Sequence, residues 1–124
     1  VEHLKVSDII VCGHSDCGAM RALYKERSNF AATPHIAKWL EHGDKTMAVV
    51  AANYPELSRE ERYEITAGEN VLLQMENLRT YPVVREAARE GRLYVHAWYY
   101  EIGTGRVLRY SPEREQFEPI REEE

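Results

Sequence analysis

His14 and Cys17 stand three residues apart in the run Cys12-Gly13-His14-Ser15-Asp16-Cys17-Gly18-Ala19-Met20, directly after the apolar Ile9-Ile10-Val11. Taken singly, His14 reads as a core or loop histidine, and Cys17 as a small buried hydrophobe, the usual fate of a free cysteine. Together, at the end of a strand-like run, an imidazole and a thiol make half of a zinc site, because zinc takes nitrogen and sulfur donors and about four in all. The other ligands must come from elsewhere.

The elements that must position this pair alternate between strand and helix. Ile9 to Cys12 is a short, uniformly apolar run, which predicts a strand covered on both faces in a parallel sheet, with Cys12 in the core. Gly13 breaks it, and Gly18 opens a helix with Met20, Leu23 and Tyr24 on one side. Thr33-Pro34 is a helix start, with proline in the first turn. Ile36, Trp39 and Leu40 give that helix an apolar stripe, and Gly43 is expected to stop it. Residues 45 to 53 read as helical, ended by Pro55.

Ser58-Arg59-Glu60-Glu61 has the form of a capping box and predicts a long helix. Its stripe of Tyr63, Ala67, Val71, Met75 and Leu78 is expected to lie on the sheet, with Glu64, Glu76 and Arg79 outside. Pro82 starts a further helix that Gly91 ends. Leu93 to Tyr100 reads as a strand, and Gly103-Thr104-Gly105 turns it back into Arg106 to Tyr110 as a hairpin. On that strand His96 alternates with Tyr94 and Trp98, which suggests core packing or a subunit contact. Residues from Ser111 read as a polar tail, with Arg121 to Glu124 as a frayed end. His3, His35 and His42 sit in polar surroundings and read as solvated.

Composition bounds the function classes. The 124 residues suffice for one hydrophobic core. A net charge of −5 gives no basic surface, so neither nucleic acid nor membrane is expected as a partner. No apolar run approaches a membrane span, and no secretory h-region is apparent. Two cysteines without a disulfide framework suggest a reducing, cytoplasmic setting. The chain opens on Val1 rather than Met, which reads as a piece of a longer polypeptide.

The run from Cys12 to Met20 resembles the second zinc-binding motif of the β-class carbonic anhydrases, nearest to the bacterial, cyanobacterial and plant branch. Val1 to Asp8 resembles the helix that leads into this strand in the family. Glu69-Asn70-Val71 through Asn77-Leu78 resembles its long helix. Gly91 to Tyr100, followed by the Gly103-Thr104-Gly105 turn, resembles its closing hairpin. The resemblance covers residues 1 to about 120. It implies an α/β fold with a mostly parallel sheet, flanked by helices and ending in an antiparallel β-hairpin. Residues 1–124 are then the C-terminal portion of one such domain.

The resemblance further implies that His14 and Cys17 are zinc ligands. Gly18 matches the position after the second thiolate, where a backbone N–H can meet a bicarbonate oxygen; the other reading is a glycine needed only for the turn. Asp16 either orients the ligands or caps the following helix. Cys12 is not a ligand in the family, and a Cys12–Cys17 disulfide would consume one. The family's first zinc cysteine lies in an upstream Cys-x-Asp-x-Arg motif that does not occur here. One thiolate and the Asp-Arg pair are therefore expected in an absent N-terminal half.

The implied function is zinc-dependent reversible hydration of carbon dioxide to bicarbonate and a proton, in a homo-oligomer built of dimers. The expected location is the cytoplasm, or a carboxysome or organelle interior. Two alternatives use the same framework: a carbonyl sulfide or carbon disulfide hydrolase, and a non-catalytic scaffold or assembly subunit.

Overall fold

The computed structural model describes residues 1–120. The expected fraying of Arg121 to Glu124 lies outside them. In chain order the elements are β1 (Asp8–His14), α1 (Gly18–Leu23), α2 (Pro34–Leu40), α3 (Asp44–Asn53), α4 (Arg59–Arg79), α5 (Pro82–Arg89), β2 (Tyr94–Glu101), β3 (Arg106–Ser111) and β4 (Gln116–Pro119). Short 3-10 turns occupy Arg27–Phe30 and Glu41–Gly43. Two compact units emerge, one of Val1–Ser15 with Val71–Glu124 and one of Asp16–Asn70.

The first unit holds a sheet of order β1-β2-β3-β4. β1 and β2 are parallel, with Ile9 opposite Val95 and His14 opposite Tyr100. β2 returns antiparallel through a turn in which Gly105 takes a φ of +72°, a value that glycine adopts at little cost. The α/β class and the closing hairpin are as expected. Among the described residues the parallel part is the β1–β2 pair.

β4 was not expected. The segment reads as polar because only Phe117 is a large apolar residue in it. That one ring suffices, standing 5.3 Å from Tyr110 and 5.9 Å from Tyr99. Beneath the sheet Val84, Ala87 and Leu93 are buried, with Ile9, Leu78, Val83 and Val95 packed against them.

Three expectations fail in this unit. β1 is not covered on both faces, since its residues alternate between exposed and half-buried and Ile10 is 46 % exposed. Cys12 falls on the open face and is exposed rather than core. The cause is the period of two: Ile9 and Val11 take the covered face, which sends Ile10 and Cys12 to the other. Val1 to Asp8 also forms no helix. A single turn closes where the Lys5 N–H meets the Val1 carbonyl at 3.0 Å, and Lys5 itself has a φ of 50°.

The second unit is helical, with Leu23, Leu40, Val50 and Ala67 buried. Thr33 and Pro34 open α2 as expected, though the Thr33 hydroxyl makes no cap bond. Gly43 does not stop α2, which ends at Leu40; it closes the Glu41–Gly43 turn and caps the start of α3. A Cβ there would lie 2.5 Å from Leu23 Cδ2, so the bare backbone is what lets Leu23 pack. The capping box forms as read: the Ser58 N–H donates to Glu61 Oε2 at 2.9 Å and the Glu61 N–H to Ser58 Oγ at 3.3 Å. Thr66, fully buried, donates to the Arg62 carbonyl at 2.6 Å and so accepts from the Tyr24 hydroxyl, also at 2.6 Å.

α4 contributes to both units. Along its stripe Ala67 and Val71 are buried and Tyr63, Met75 and Leu78 half-buried, while Glu64, Glu76 and Arg79 are exposed. No helix among the described residues is long and apolar enough to cross a membrane.

Candidate metal centre

His14 is the last residue of β1, and its ring is held by the residue after it. Nδ1 lies 2.6 Å from the Ser15 carbonyl oxygen. A carbonyl can only accept, so Nδ1 carries the proton and a neutral ring keeps its lone pair on Nε2. This is the tautomer a metal ligand needs, held by the kind of outer hydrogen bond that ligating histidines make.

Ser15 was not singled out from the sequence, yet it anchors the motif within its unit. Its N–H donates to the Tyr100 carbonyl at 3.0 Å, and its hydroxyl accepts the Ile102 N–H at 2.9 Å. The parallel pairing is thereby carried one residue beyond His14. No local pattern announces this, since Ile102 lies 87 positions away in sequence.

Asp16 makes the turn. Its φ of 54° lies in the left-handed region, which aspartate tolerates better than most residues. Two groups hold it there: its N–H reaches Glu64 Oε1 at 3.4 Å, and its carboxylate accepts from the Arg21 guanidinium at 2.7 Å. The same Arg21 nitrogen reaches Glu60 at 3.3 Å, and the guanidinium lies 5.3 Å from the centre of the Tyr63 ring. The expectation that Asp16 caps α1 fails, because the N-cap is Cys17 and the helix end has no side-chain cap bond. The Asp16 carboxylate is turned to Arg21 instead.

Cys17 is half-buried with a free thiol, and Cys12 is free as well. Gly18 has open space where a Cβ would stand and does not share the left-handed backbone of Gly91 and Gly105. A turn requirement therefore does not explain it; the strained position is Asp16. Among the described residues no cluster of three or more histidine, cysteine or acidic side chains could hold a metal. The donor set thus fits zinc in kind, with one imidazole nitrogen and one sulfur, and is short of it in number.

His96 is half-buried, its Nε2 lying 2.8 Å from Asp8 Oδ1. The Ser7 hydroxyl and His96 together hold the Asp8 carboxyl below the usual aspartate range. An open concavity of about 1300 Å³ lies over Val95, Ala97, Tyr110 and Phe117 and includes none of the candidate ligands.

Residues 1–107 match the family model described as carbonic anhydrase. The chain belongs to the β-class carbonic anhydrase family. It is 42 % identical over 107 residues to a carbonic anhydrase of a Synechocystis strain, a match covering 86 % of this chain and 39 % of that relative. The β-carbonic anhydrase CcaA superposes with a TM-score of 0.89 at 39 % identity, over 96 % of this chain and 53 % of the other. One of two tetrameric β-carbonic anhydrases from Sordaria macrospora superposes with a TM-score of 0.77 at 30 % identity, over 88 % and 54 %. The chain spans about half the length of the curated relatives it matches, from 39 % to 57 % among six bacterial ones.

Proposed function

We propose that this β-carbonic anhydrase chain supplies His14 and Cys17 as two of the protein ligands to a catalytic zinc, in an enzyme that reversibly hydrates carbon dioxide to bicarbonate and a proton. One observation carries the reading: in a chain matched to the family over residues 1–107, the Ser15 carbonyl accepts a hydrogen bond from the His14 Nδ1–H and leaves Nε2 free to ligate. Zinc, when bound, supplies a Lewis acid that makes water nucleophilic near neutral pH.

The residues present do the positioning. His14 offers Nε2 at the end of β1, and Cys17 offers a sulfur just before α1. A second thiolate would balance the metal's two charges, and with the Asp-Arg pair it belongs to the N-terminal half of the domain, of which residues 1–124 form the C-terminal portion. Gly18, with no side chain in the way, is assigned to the substrate side, and Asp16 to holding the turn beside the ligands. The tetrameric neighbour supports a homo-oligomer, with Tyr94 and Tyr100, 58 % and 39 % exposed, as candidate contacts.

The test uses the full-length protein. Stopped-flow hydration of carbon dioxide, with zinc quantified on the same sample, is expected to show turnover that Cys17→Ser abolishes together with most of the bound zinc. Material limited to residues 1–124 is expected to show no rate above the uncatalysed one. Unchanged zinc in Cys17→Ser, or ordinary enzyme rates from residues 1–124 alone, would overturn the assignment.

A further inference from the structure

We infer that Arg21 is a positioning residue for Cys17, clamping the turn that carries the thiol to the first turns of α4. The inference rests on the reading of Cys17 as a zinc ligand, and its evidence is the geometry around Asp16. That residue immediately precedes Cys17 and holds a left-handed φ of 54°, a conformation that costs free energy for a non-glycine residue unless its surroundings enforce it.

The enforcement comes from one side. Arg21 stands one helical turn beyond Cys17, and its N–H donates to the Cys17 carbonyl at 3.1 Å. Its guanidinium then returns to the Asp16 carboxylate at 2.7 Å, closing a loop of side chain and backbone around the thiol-bearing residue. The loop is tied to α4 twice through Arg21, by Glu60 at 3.3 Å and by the Tyr63 ring beneath the guanidinium. A third tie runs from the Asp16 N–H to Glu64.

Arginine suits this place better than lysine. Its planar group can serve two carboxylates at once while stacking on an aromatic face, whereas an ammonium is a point charge. With the Arg21 side chain 40 % exposed, the ion pairs themselves add little to overall stability. Their effect falls on the conformation of one turn. Partners of this kind around a metal ligand typically alter metal affinity about 10- to 100-fold.

The experiment compares wild type, Arg21→Ala, Arg21→Lys, Glu60→Gln and Cys17→Ser in the full-length protein. The readouts are zinc affinity by chelator competition and the thiolate-to-metal charge-transfer band of the cobalt-substituted protein. Arg21→Ala is expected to weaken zinc retention about tenfold and to shift or weaken that band, with the near-ultraviolet circular dichroism unchanged. Arg21→Lys, which restores charge but not the fork, is expected to recover affinity only in part, and Glu60→Gln to show a smaller loss in the same direction. Wild-type affinity and an unchanged band in Arg21→Ala, beside a weakened band in Cys17→Ser, would overturn the role of Arg21 and leave Cys17 as a ligand. A band of wild-type intensity in Cys17→Ser would overturn both. Should Arg21→Ala fail to fold, Arg21→Lys and Glu60→Gln decide alone: wild-type affinity in both refutes the clamp.

Discussion

His14 Nδ1 and the Ser15 carbonyl oxygen lie 2.6 Å apart, so the residue following the candidate ligand decides which of its nitrogens is free. The expected consequence is that the uncharged ring carries its proton on Nδ1 and not on Nε2. Long-range nitrogen–proton correlation spectra of the metal-free protein near pH 8 check this directly. A His14 ring protonated on Nε2 would contradict the arrangement.

Asp8 makes the low-pH behaviour testable. Hydrogen bonds from Ser7 first and His96 second favour its charged form, so its folded value lies below the ordinary one. A depressed carboxyl contributes stability that is present above the unfolded value, about 3.9, and is lost as pH falls through the folded value. Asp8→Asn is therefore expected to flatten the loss of stability below about pH 4 in urea titrations. An equally steep loss in the variant would show that other carboxyls, such as Glu61 and Glu101, carry it.

Gly43→Ala adds one methyl group where Leu23 already packs, with Leu23 Cδ1 2.7 Å from the new Cβ position. The expected cost is about 1 to 3 kcal/mol, the usual range for overpacking a core. Chemical denaturation measures it, and Leu23→Ala in the Gly43→Ala background should relieve part of the strain. A neutral Gly43→Ala would mean that Leu23 has a second resting place.

Val71, 3 % exposed in the middle of α4, tests the stripe. Val71→Asp buries a charge without a partner and is expected to cost about 4 kcal/mol or more, enough to unfold a marginal domain. Glu76→Lys, on the exposed side of the same helix, should change the melting temperature little. Similar melts for the two variants would show that the helix faces are misassigned.

Elements whose signals are local can be read from the residues alone. The capping box at Ser58 and Glu61, the proline starts at Pro34 and Pro82 and the Gly103-Thr104-Gly105 turn each act within a few residues of themselves, and each stands where it was read. His14 and Cys17 were legible in the same way, as two donors at a fixed spacing.

Features that depend on distant partners emerge only once the chain is packed. β4 exists because Phe117 finds Tyr110 and Tyr99, and a lone aromatic in a polar segment does not disclose its neighbours. Asp16 reads as a cap by adjacency, but a positive φ and an arginine one turn further on draw its carboxylate away from the helix end. Cys12 reads as core from composition, yet the strand's period of two places it on the open face once Ile9 and Val11 take the other. Local chemistry names the candidate ligands; long-range contacts set which nitrogen, which turn and which face they present.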